Sequence, residues 1–421
     1  MRASRPAPGR GSGARPGVVA AAAAALVFAA AALAGCEFDR ATAPRGVDLP
    51  VVHGVLNPRF DTQVIFLERT LSGRVDVDTG HRLDRRDPIR TGGGDPISGA
   101  LVVVADVWGD SAVAREDSVG PAGATRGTGV YRFTNDAAIT CPASGSPLDC
   151  LPIRPGERYR LRVVTPEGRV VTGVATVPLV DPGFAFPAVR DFDRDRDTLT
   201  LSWAEVRGAR QYELRLESPF GPFFLFFPET ELVLPGTLRN VFAKNFPRVF
   251  IPGFTQRVEV AAVDTNFFDY YRAAGDPFTG TGLINHLDGG VGLFGAYVPL
   301  RTEVLAVTAA PREPIEGEYV RVRGPAGVVD SLRLYVESRE GALAALSGNW
   351  RGGGGGASTR PPGLVGTLNG GRVSIAFLRE QAANDTTALF NGTADADSLY
   401  GVLRPSADGI GLDVVFRRAA P

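Results

Sequence analysis

Pro155-Gly156-Glu157-Arg158-Tyr159-Arg160-Leu161-Arg162-Val163 is the stretch of sequence that decides the fold. The proline–glycine pair favours a turn, and the residues after it alternate between charged and apolar side chains. Because neighbouring side chains of a β-strand point to opposite faces, Tyr159, Leu161 and Val163 share one face. The stretch therefore predicts a turn followed by a strand that buries one of its two faces.

Similar short stretches recur on both sides of it, and they predict an all-β chain. Alternating strands separated by glycine and proline turns are typical of β-sandwiches, which we expect in tandem over residues 50–180 and 181–310. Residues 311–421 contain eight strand candidates, several of them separated by Gly-Gly or Asp-Gly turns. An even set of antiparallel strands favours a β-barrel, because closure removes the exposed edges.

Three stretches of the first sandwich resemble the prealbumin-like or Ig-like domain of carboxypeptidase-regulatory-type repeats. They are Pro96-Ile97-Ser98-Gly99-Ala100-Leu101-Val102, Gly129-Val130-Tyr131 and Pro155-Gly156-Glu157-Arg158-Tyr159-Arg160-Leu161. Asn285-His286-Leu287-Asp288-Gly289-Gly290-Val291-Gly292-Leu293-Phe294-Gly295 is similar to a signature of an uncharacterised family of bacterial envelope lipoproteins, which contain a domain of unknown function. The resemblance implies an Ig-like sandwich and an envelope location, and it implies no known activity.

The second sandwich resembles a fibronectin type III domain. Trp203-x-x-Val-x-Gly-Ala-x-x-Tyr212-x-Leu-x-Leu216 is similar to strands B and C of that family, in which the tryptophan anchors the core. Val258 to Asp264 is similar to strand F, and Gln256 stands where the family usually has a tyrosine. The resemblance implies a fibronectin III-like domain over residues 181–310.

The first 36 residues carry an export pattern. Four arginines and no acidic residue precede an apolar run from Val18, which ends at Leu33-Ala34-Gly35-Cys36. This pattern resembles the bacterial lipobox. The resemblance implies a lipoprotein signal peptide over residues 1–35, lipidation of Cys36 and a lipidated tether over residues 36–49. An ordinary signal peptide and a single membrane anchor are the alternatives.

The predicted location is the outer membrane, on its periplasmic or surface face. Glu37, unlike an aspartate at that place, is not a typical inner-membrane retention signal. The predicted partners are the membrane, through the N-terminal lipid, and an envelope protein. The net charge of −1 becomes −5 once the four arginines of the signal are removed. That mild acidity argues against a nucleic-acid partner, because such proteins carry a basic stripe.

Cys141 and Cys150 form an even pair in a chain predicted to be exported. Export to an oxidising compartment favours a disulfide between them. The alternative is a metal site built on two thiolates, which lacks nearby histidines. We predict the disulfide, with no metal and no cofactor.

Three other patterns each favour an ordinary structural role over chemistry. Val77-Asp78-Thr79-Gly80 has the local aspartic-protease pattern, but that mechanism needs two such aspartates. The alternating aspartates at positions 191, 193, 195 and 197 lack the glycine and the final acid of an EF-hand loop, so a solvated loop is predicted. The three histidines, His53, His81 and His286, have no neighbours at metal-ligand spacing. We predict no catalytic residue and no enzymatic activity.

The unusual feature of the sequence is its aromatic content. Sixteen of the 24 phenylalanines lie between Phe184 and Phe294, more than one sandwich core easily buries. They either pack domains together or form an exposed patch that binds a partner or a ligand; direct membrane insertion is a third alternative. The candidate binding patch is Phe220, Phe223, Phe224, Phe226 and Phe227.

The function that these features favour is a non-catalytic binding or scaffold module in an envelope or nutrient-uptake complex. Its ligand is unknown. One alternative is a small-ligand carrier that uses the C-terminal barrel. The other is an extracytoplasmic enzyme whose site is assembled from dispersed loops.

Replacing the predicted lipidated cysteine tests the anchor. We expect Cys36→Ser to release the protein from membranes or to leave it unprocessed, because the thiol that receives the lipid is gone. Membrane fractionation and the mass of the N-terminal peptide measure both effects, with Thr42→Ser in the predicted tether as the control. Unchanged processing and membrane partition in Cys36→Ser would refute the lipobox.

Overall fold

One long strand, Val291–Thr308, connects the strands of both predicted sandwiches. The computed structural model describes most of the chain after the predicted tether. The described residues are 49–69, 95–117, 129–135, 150–180, 187–218, 222–240, 246–274, 284–352, 362–379, 386–395, 397–405 and 409–419. No helix among them is long and apolar enough to cross a membrane.

The strands up to residue 180 build the first sandwich. They are β1 (Pro50–Leu56), β2 (Thr62–Arg69), β3 (Asp95–Pro96), β4 (Leu101–Ala105), β5 (Ser111–Glu116), β6 (Val130–Thr134), β7 (Arg158–Val164) and β8 (Val170–Thr176). Hydrogen bonds run in the order β1-β2-β6-β5-β4-β7-β8. Strand β5 pairs with β6 through its end and with β4 through its start, so it connects two sheets whose inner side chains share one core.

The next part of the chain contains the second sandwich and the described helix. Its elements are β9 (Val189–Asp193), β10 (Thr198–Ser202), β11 (Gln211–Leu216), β12 (Phe223–Phe227), β13 (Glu231–Pro235), β14 (Thr255–Val263), α1 (Thr265–Ala274), β15 (Leu287–Asp288) and β16 (Val291–Thr308). Strands β12, β11, β14 and β16 form one sheet with β9, and β10 pairs with β13 in a second.

Strand β16 belongs to both sandwiches. Its first third pairs in parallel with β1, from Val291 opposite Val51 to Ala296 opposite Leu56. The remainder pairs antiparallel with β14, and its end pairs in parallel with β9. A Cβ atom at Gly292, whose φ is 122°, would lie 2.0 Å from the Val52 carbonyl oxygen. Glycine is therefore required at this position, where β16 pairs with β1.

The C-terminal part is a closed eight-stranded barrel, with each strand antiparallel to the next and the last paired to the first. Its strands are β17 (Gly317–Arg323), β18 (Ser331–Glu340), β19 (Leu343–Arg351), β20 (Gly363–Asn369), β21 (Arg372–Leu378), β22 (Thr386–Ala394), β23 (Ser398–Arg404) and β24 (Leu412–Arg418). Two ring pairs, Trp350 with Phe377 and Phe390 with Phe416, help to fill its interior. The all-β fold and the barrel predicted from the sequence are confirmed.

The barrel packs on the second sandwich through a buried ion pair. Strand β18 has a bulge between Val336 and Ser338, and a bulge re-aims the extra side chain, here Glu337. Arg194 Nη1 donates to Glu337 Oε2 at 2.6 Å, and the Glu337 side chain has no exposed surface. Burial raises the pKa of Glu337, and the Arg194 charge opposes that shift. Ser347 Oγ donates to Glu337 Oε1 at 2.6 Å.

A loop of the second sandwich completes this interface. Ile251 and Phe254 pack against Leu378 of the barrel. A Cβ atom at Gly253 would lie 2.3 Å from the carbonyl carbon of Gly348, so the two backbones touch. Phenylalanines therefore do pack domains together here, and none of the described phenylalanines of the candidate binding patch belongs to this cluster.

One local expectation was wrong. The segment predicted as a solvated loop at 191–197 begins as strand β9, and its Asp195 is mostly buried. Asp195 accepts from Arg248 Nη1 at 2.7 Å and pairs with Arg312 at 2.6 Å. The prediction failed because the arginines that pair with Asp195 are distant in sequence, so the local pattern does not reveal them.

Breaking the buried pair should destabilise the barrel and its junction. We expect Arg194→Ala to lower the free energy of unfolding by about 3–5 kcal/mol, because Glu337 is left buried without its counter-charge. The double variant R194M/E337M should recover most of the loss, since apolar side chains of similar size often replace a buried pair without cost. Urea denaturation at pH 7 measures each change.

The exposed pair Arg339–Glu313 offers the control. Arg339→Ala should cost no more than about 1 kcal/mol, as is usual for surface pairs. A loss in Arg194→Ala no larger than in Arg339→Ala would contradict the interpretation of the junction.

Candidate functional site

The predicted modification sites lie mostly outside the described residues. Cys36 and Cys141 are both outside them, as is His81. Cys150 is disulfide-bonded. The disulfide at Cys150 is thus observed, while its pairing with Cys141 stays a prediction.

The candidate patch of phenylalanines is divided between the two faces of β12. Phe227 is 7% exposed and packs in the core, with ring centroids 5.8 Å from Trp203 and 6.2 Å from Tyr212. Phe223, on the same face, packs partly against this core. Phe220 lies outside the described residues.

On the opposite face, helix α1 covers one phenylalanine. The Phe226 ring lies 6.3 Å from that of Phe267 and 5.3 Å from that of Phe268. Phe224 and Leu225 are 45% and 48% exposed. Hydrogen bonds connect the strands of both sandwiches into one large sheet, in which β12 is the end strand next to β11. Phe224 and Leu225, here named the apolar pair, are the most exposed residues of β12.

A second candidate site lies on the outer face of the first sandwich, in a groove of about 570 Å³. We name it the arginine groove, and its polar lining residues are Arg160, Arg162, Thr172, Asn266, His286 and Asp288. Strands β4, β7 and β8 form its floor, with α1 and β15 beside them. The pairing registers align Arg162 with Thr172 and Thr172 with Asp288, and they align Arg160 with Val174.

The arginines of the groove point outward because their neighbours point inward. Tyr159, Leu161 and Val163 are fully or almost fully buried, whereas Arg160 and Arg162 are exposed. Within the described part of the chain, neither guanidinium forms an ion pair or a side-chain hydrogen bond. Two positive charges therefore face the groove without a carboxylate partner.

Helix α1 brings the Asn266 amide to the groove, and the segment just before β15 brings the His286 imidazole. Asn266 Nδ2 donates to the carbonyl oxygens of Val174 at 2.6 Å and Phe294 at 2.8 Å. His286 Nε2 lies 2.9 Å from Asp269 Oδ2, and Arg272 Nε donates to Asp269 Oδ1 at 2.8 Å. Burial alone would raise the pKa of Asp269, but hydrogen bonds from His286 and Arg272 hold that pKa below its usual value.

Helix α1 starts at a buried carboxyl group. Asp264 Oδ1 accepts from the Phe267 backbone N–H at 2.9 Å, which is an N-cap contact. Its Oδ2 accepts from the Thr176 backbone N–H at 3.3 Å and so connects the helix to β8. Burial raises the pKa of Asp264 to about 6, although the backbone donors oppose the shift.

The other sequence candidates have structural partners. His53 Nε2 lies 2.9 Å from the Tyr271 hydroxyl. Asp193 pairs with Arg196, and Asp197 Oδ2 accepts from the Asp193 backbone N–H at 2.8 Å. Among the described residues, no group of three or more histidine, cysteine or acidic residues is placed to hold a metal ion.

The arginine groove was missed by the sequence analysis. The signal was present in the alternation Tyr159-Arg160-Leu161-Arg162-Val163, of which only the apolar face was interpreted. A polar outer face is what any half-buried strand shows. Only the fold brings Asn266 and His286, more than 100 positions away, to the same face.

Comparison with known proteins adds little. No protein-family model matches the chain, and no curated protein matches it. Among solved structures the chain is similar to a Ca²⁺-stabilised adhesin that helps an Antarctic bacterium to reach out and bind ice. The two are 13% identical over 88% of this chain and 73% of the adhesin, with a TM-score of 0.15. A likeness at that TM-score carries no argument about function.

The buried carboxyl at the start of α1 makes stability depend on pH. Because the folded pKa of about 6 exceeds the unfolded value near 3.9, the folded state binds more protons between these values. Stability from this group is therefore present at low pH and falls as pH rises toward 6. We expect Asp264→Asn to remove that part of the pH dependence.

Urea denaturation from pH 4 to pH 7 measures the difference between the wild-type and variant free energies of unfolding. Thr265→Ala, at the next position, alters no titratable group and should follow the wild-type profile. Parallel pH profiles for the wild type and Asp264→Asn would contradict the raised pKa.

Proposed function

We propose that this chain is a lipid-anchored, non-catalytic binding or scaffold protein of the bacterial outer membrane, acting in an envelope or nutrient-uptake complex. The lipid proposed on Cys36 supplies the anchor, since two or more acyl chains hold a protein stably on a membrane. The observation that carries the binding role is the apolar pair at the end strand of the large sheet.

The apolar pair suits a protein partner. Phe224 and Leu225 are adjacent in a strand, so one side chain lies on each face of β12. Burying an apolar side chain of this size contributes about 1.5–3 kcal/mol, so covering both gives a useful part of a binding free energy. An envelope protein with an extended apolar segment would cover both faces at once, and we propose such a segment as the occupant.

The filled interior of the barrel favours this role over that of a small-ligand carrier. An eight-stranded barrel either is filled by its own side chains or holds one small ligand. Leu334, Leu346, Ile375, Phe390 and Phe416 line one continuous core and have no exposed surface. The described interior therefore supports a structural barrel.

One observation favours the enzyme alternative. His286 lies on the arginine groove with its Nε2 bonded to Asp269, and a histidine oriented by a carboxylate is a common general base. A histidine–carboxylate pair is also common as a structural contact, so we place this alternative second.

Removing the apolar pair tests the binding role. We expect F224S/L225S, in the full-length lipidated protein, to lose an envelope partner that the wild type retains after crosslinking in its native cells. Because both side chains are exposed, the thermal midpoint should stay within about 4 °C of the wild type, the shift expected for about 1 kcal/mol.

Val233 provides the matched control, since it is 54% exposed on a different sheet. Val233→Ser should retain the same crosslinked partners. Identical partners for F224S/L225S and the wild type would overturn the proposal, and so would a loss shared by Val233→Ser.

A further inference from the structure

The arginine groove has the shape and chemistry of a ligand site that is separate from the apolar pair. Its floor is the outer face of β4, β7 and β8, where Val103, Ala105 and Val174 provide apolar surface. The volume of about 570 Å³ lies within the ordinary range for sites of small organic ligands. The groove therefore has room for a ligand the size of one or two sugar rings.

One side of the groove is positively charged. Arg160 and Arg162 lie two positions apart on one face of β7, which separates their Cα atoms by about 6.5 Å. The guanidinium group presents a planar fork of donors that matches a carboxylate or a phosphate. Two such forks at this spacing suit a single oxyanion or two neighbouring ones.

Several other arginines in the described part of the chain are paired with a carboxylate. Arg132 donates to Asp117 at 2.8 Å, Arg248 to Asp195 at 2.7 Å, and Arg321 to Asp330 at 3.0 Å. Within the described residues, Arg160 and Arg162 have no such carboxylate, although they lie in a concavity. Their charge is available to a ligand.

The other side of the groove carries hydrogen-bond acceptors. Both N–H groups of the Asn266 amide are used on backbone carbonyls, so its Oδ1 remains as the acceptor. His286 uses Nε2 on Asp269, which leaves Nδ1, and Asp288 presents an exposed carboxylate. Acceptors of this kind are complementary to hydroxyl groups. Donors for an anion thus face acceptors for hydroxyls across the groove.

We infer that the arginine groove binds a saccharide that carries an oxyanion, either a carboxylate or a phosphate. Arg160 and Arg162 hold the oxyanion, and the sugar ring lies over Val103, Ala105 and Val174. Its hydroxyl groups donate to Asn266, His286 and Asp288. The inference stands apart from the partner proposed at β12, because the groove lies on the other sandwich and uses none of that strand.

Titration calorimetry on the full chain in detergent micelles tests this inference. The probes are glucuronate for the carboxylate, glucose 6-phosphate for the phosphate, and neutral glucose. We expect at least one acidic sugar to bind at least about tenfold more tightly than glucose, since charged hydrogen bonds are the stronger ones. Its affinity should fall as salt rises, because exposed charges are screened.

The variant R160A/R162A should weaken that binding by about tenfold or more and leave the thermal midpoint nearly unchanged, because both side chains are exposed. R372A/R404A removes two exposed arginines of the barrel and controls for net charge. Its affinity should equal that of the wild type. The relative response to glucuronate and glucose 6-phosphate identifies the oxyanion.

Three results would overturn the inference. They are the absence of binding by both acidic sugars, equal binding of glucose, and equal affinity in R160A/R162A and the wild type. A loss of affinity in R372A/R404A as large as in R160A/R162A would likewise show that net charge, and not the groove, determines binding.

Discussion

Hydrogen bonding along both edges of Val291–Thr308 is the constraint on which the rest of the structure depends. A strand has only two edges, and here β1 and β9 share one while β14 occupies the other. The first sandwich cannot complete its sheet without β16, which is also the last strand of the second sandwich in sequence. Most of the second must therefore be synthesised before the first is finished, and the two are linked through backbone hydrogen bonds as well as through packing.

The junction with the barrel depends instead on buried polar side chains, each of which has a hydrogen-bond partner. Gln256 holds the docking loop, because its side chain accepts from Ile251 N and donates to Val249 O. Arg194 and Glu337 then form their pair across the junction. A buried ion pair adds little net stability, but a conformation that leaves one of its charges buried without the other is strongly destabilised. Such contacts fix how the barrel sits on the loop, while Ile251 and Phe254 supply the apolar area.

How far the sequence predicted the fold depends on the range of the contacts. All eight barrel strands were predicted, because each pairs with its neighbour in sequence and alternates clearly, as Arg372–Leu378 does. Strand β5 and the full length of β16 were missed. The buried positions of β16 run without alternation, since it is covered on both faces, and a continuous apolar run does not reveal its length or its partners. Helix α1 was missed because ten residues give too few turns for a periodic signal.

The range of the contacts also limited how much of the candidate sites could be predicted from the sequence. The sequence predicted a patch of phenylalanines at β12, but it could not show that α1 covers Phe226 while the core buries Phe227. At the groove, Arg160 and Arg162 are ordinary outward residues when β7 is considered alone. They form a site only together with Asn266 and His286, which the insertion between β14 and β16 places beside them. Helix α1 lies in that insertion and also packs against the second sandwich, where Phe268 contacts Phe226. The same segment therefore forms the wall of the groove and contacts the second sandwich. A ligand there would contact the floor strands of the first sandwich and the wall supplied by this insertion, so its binding would stabilise the folded state that holds the two together.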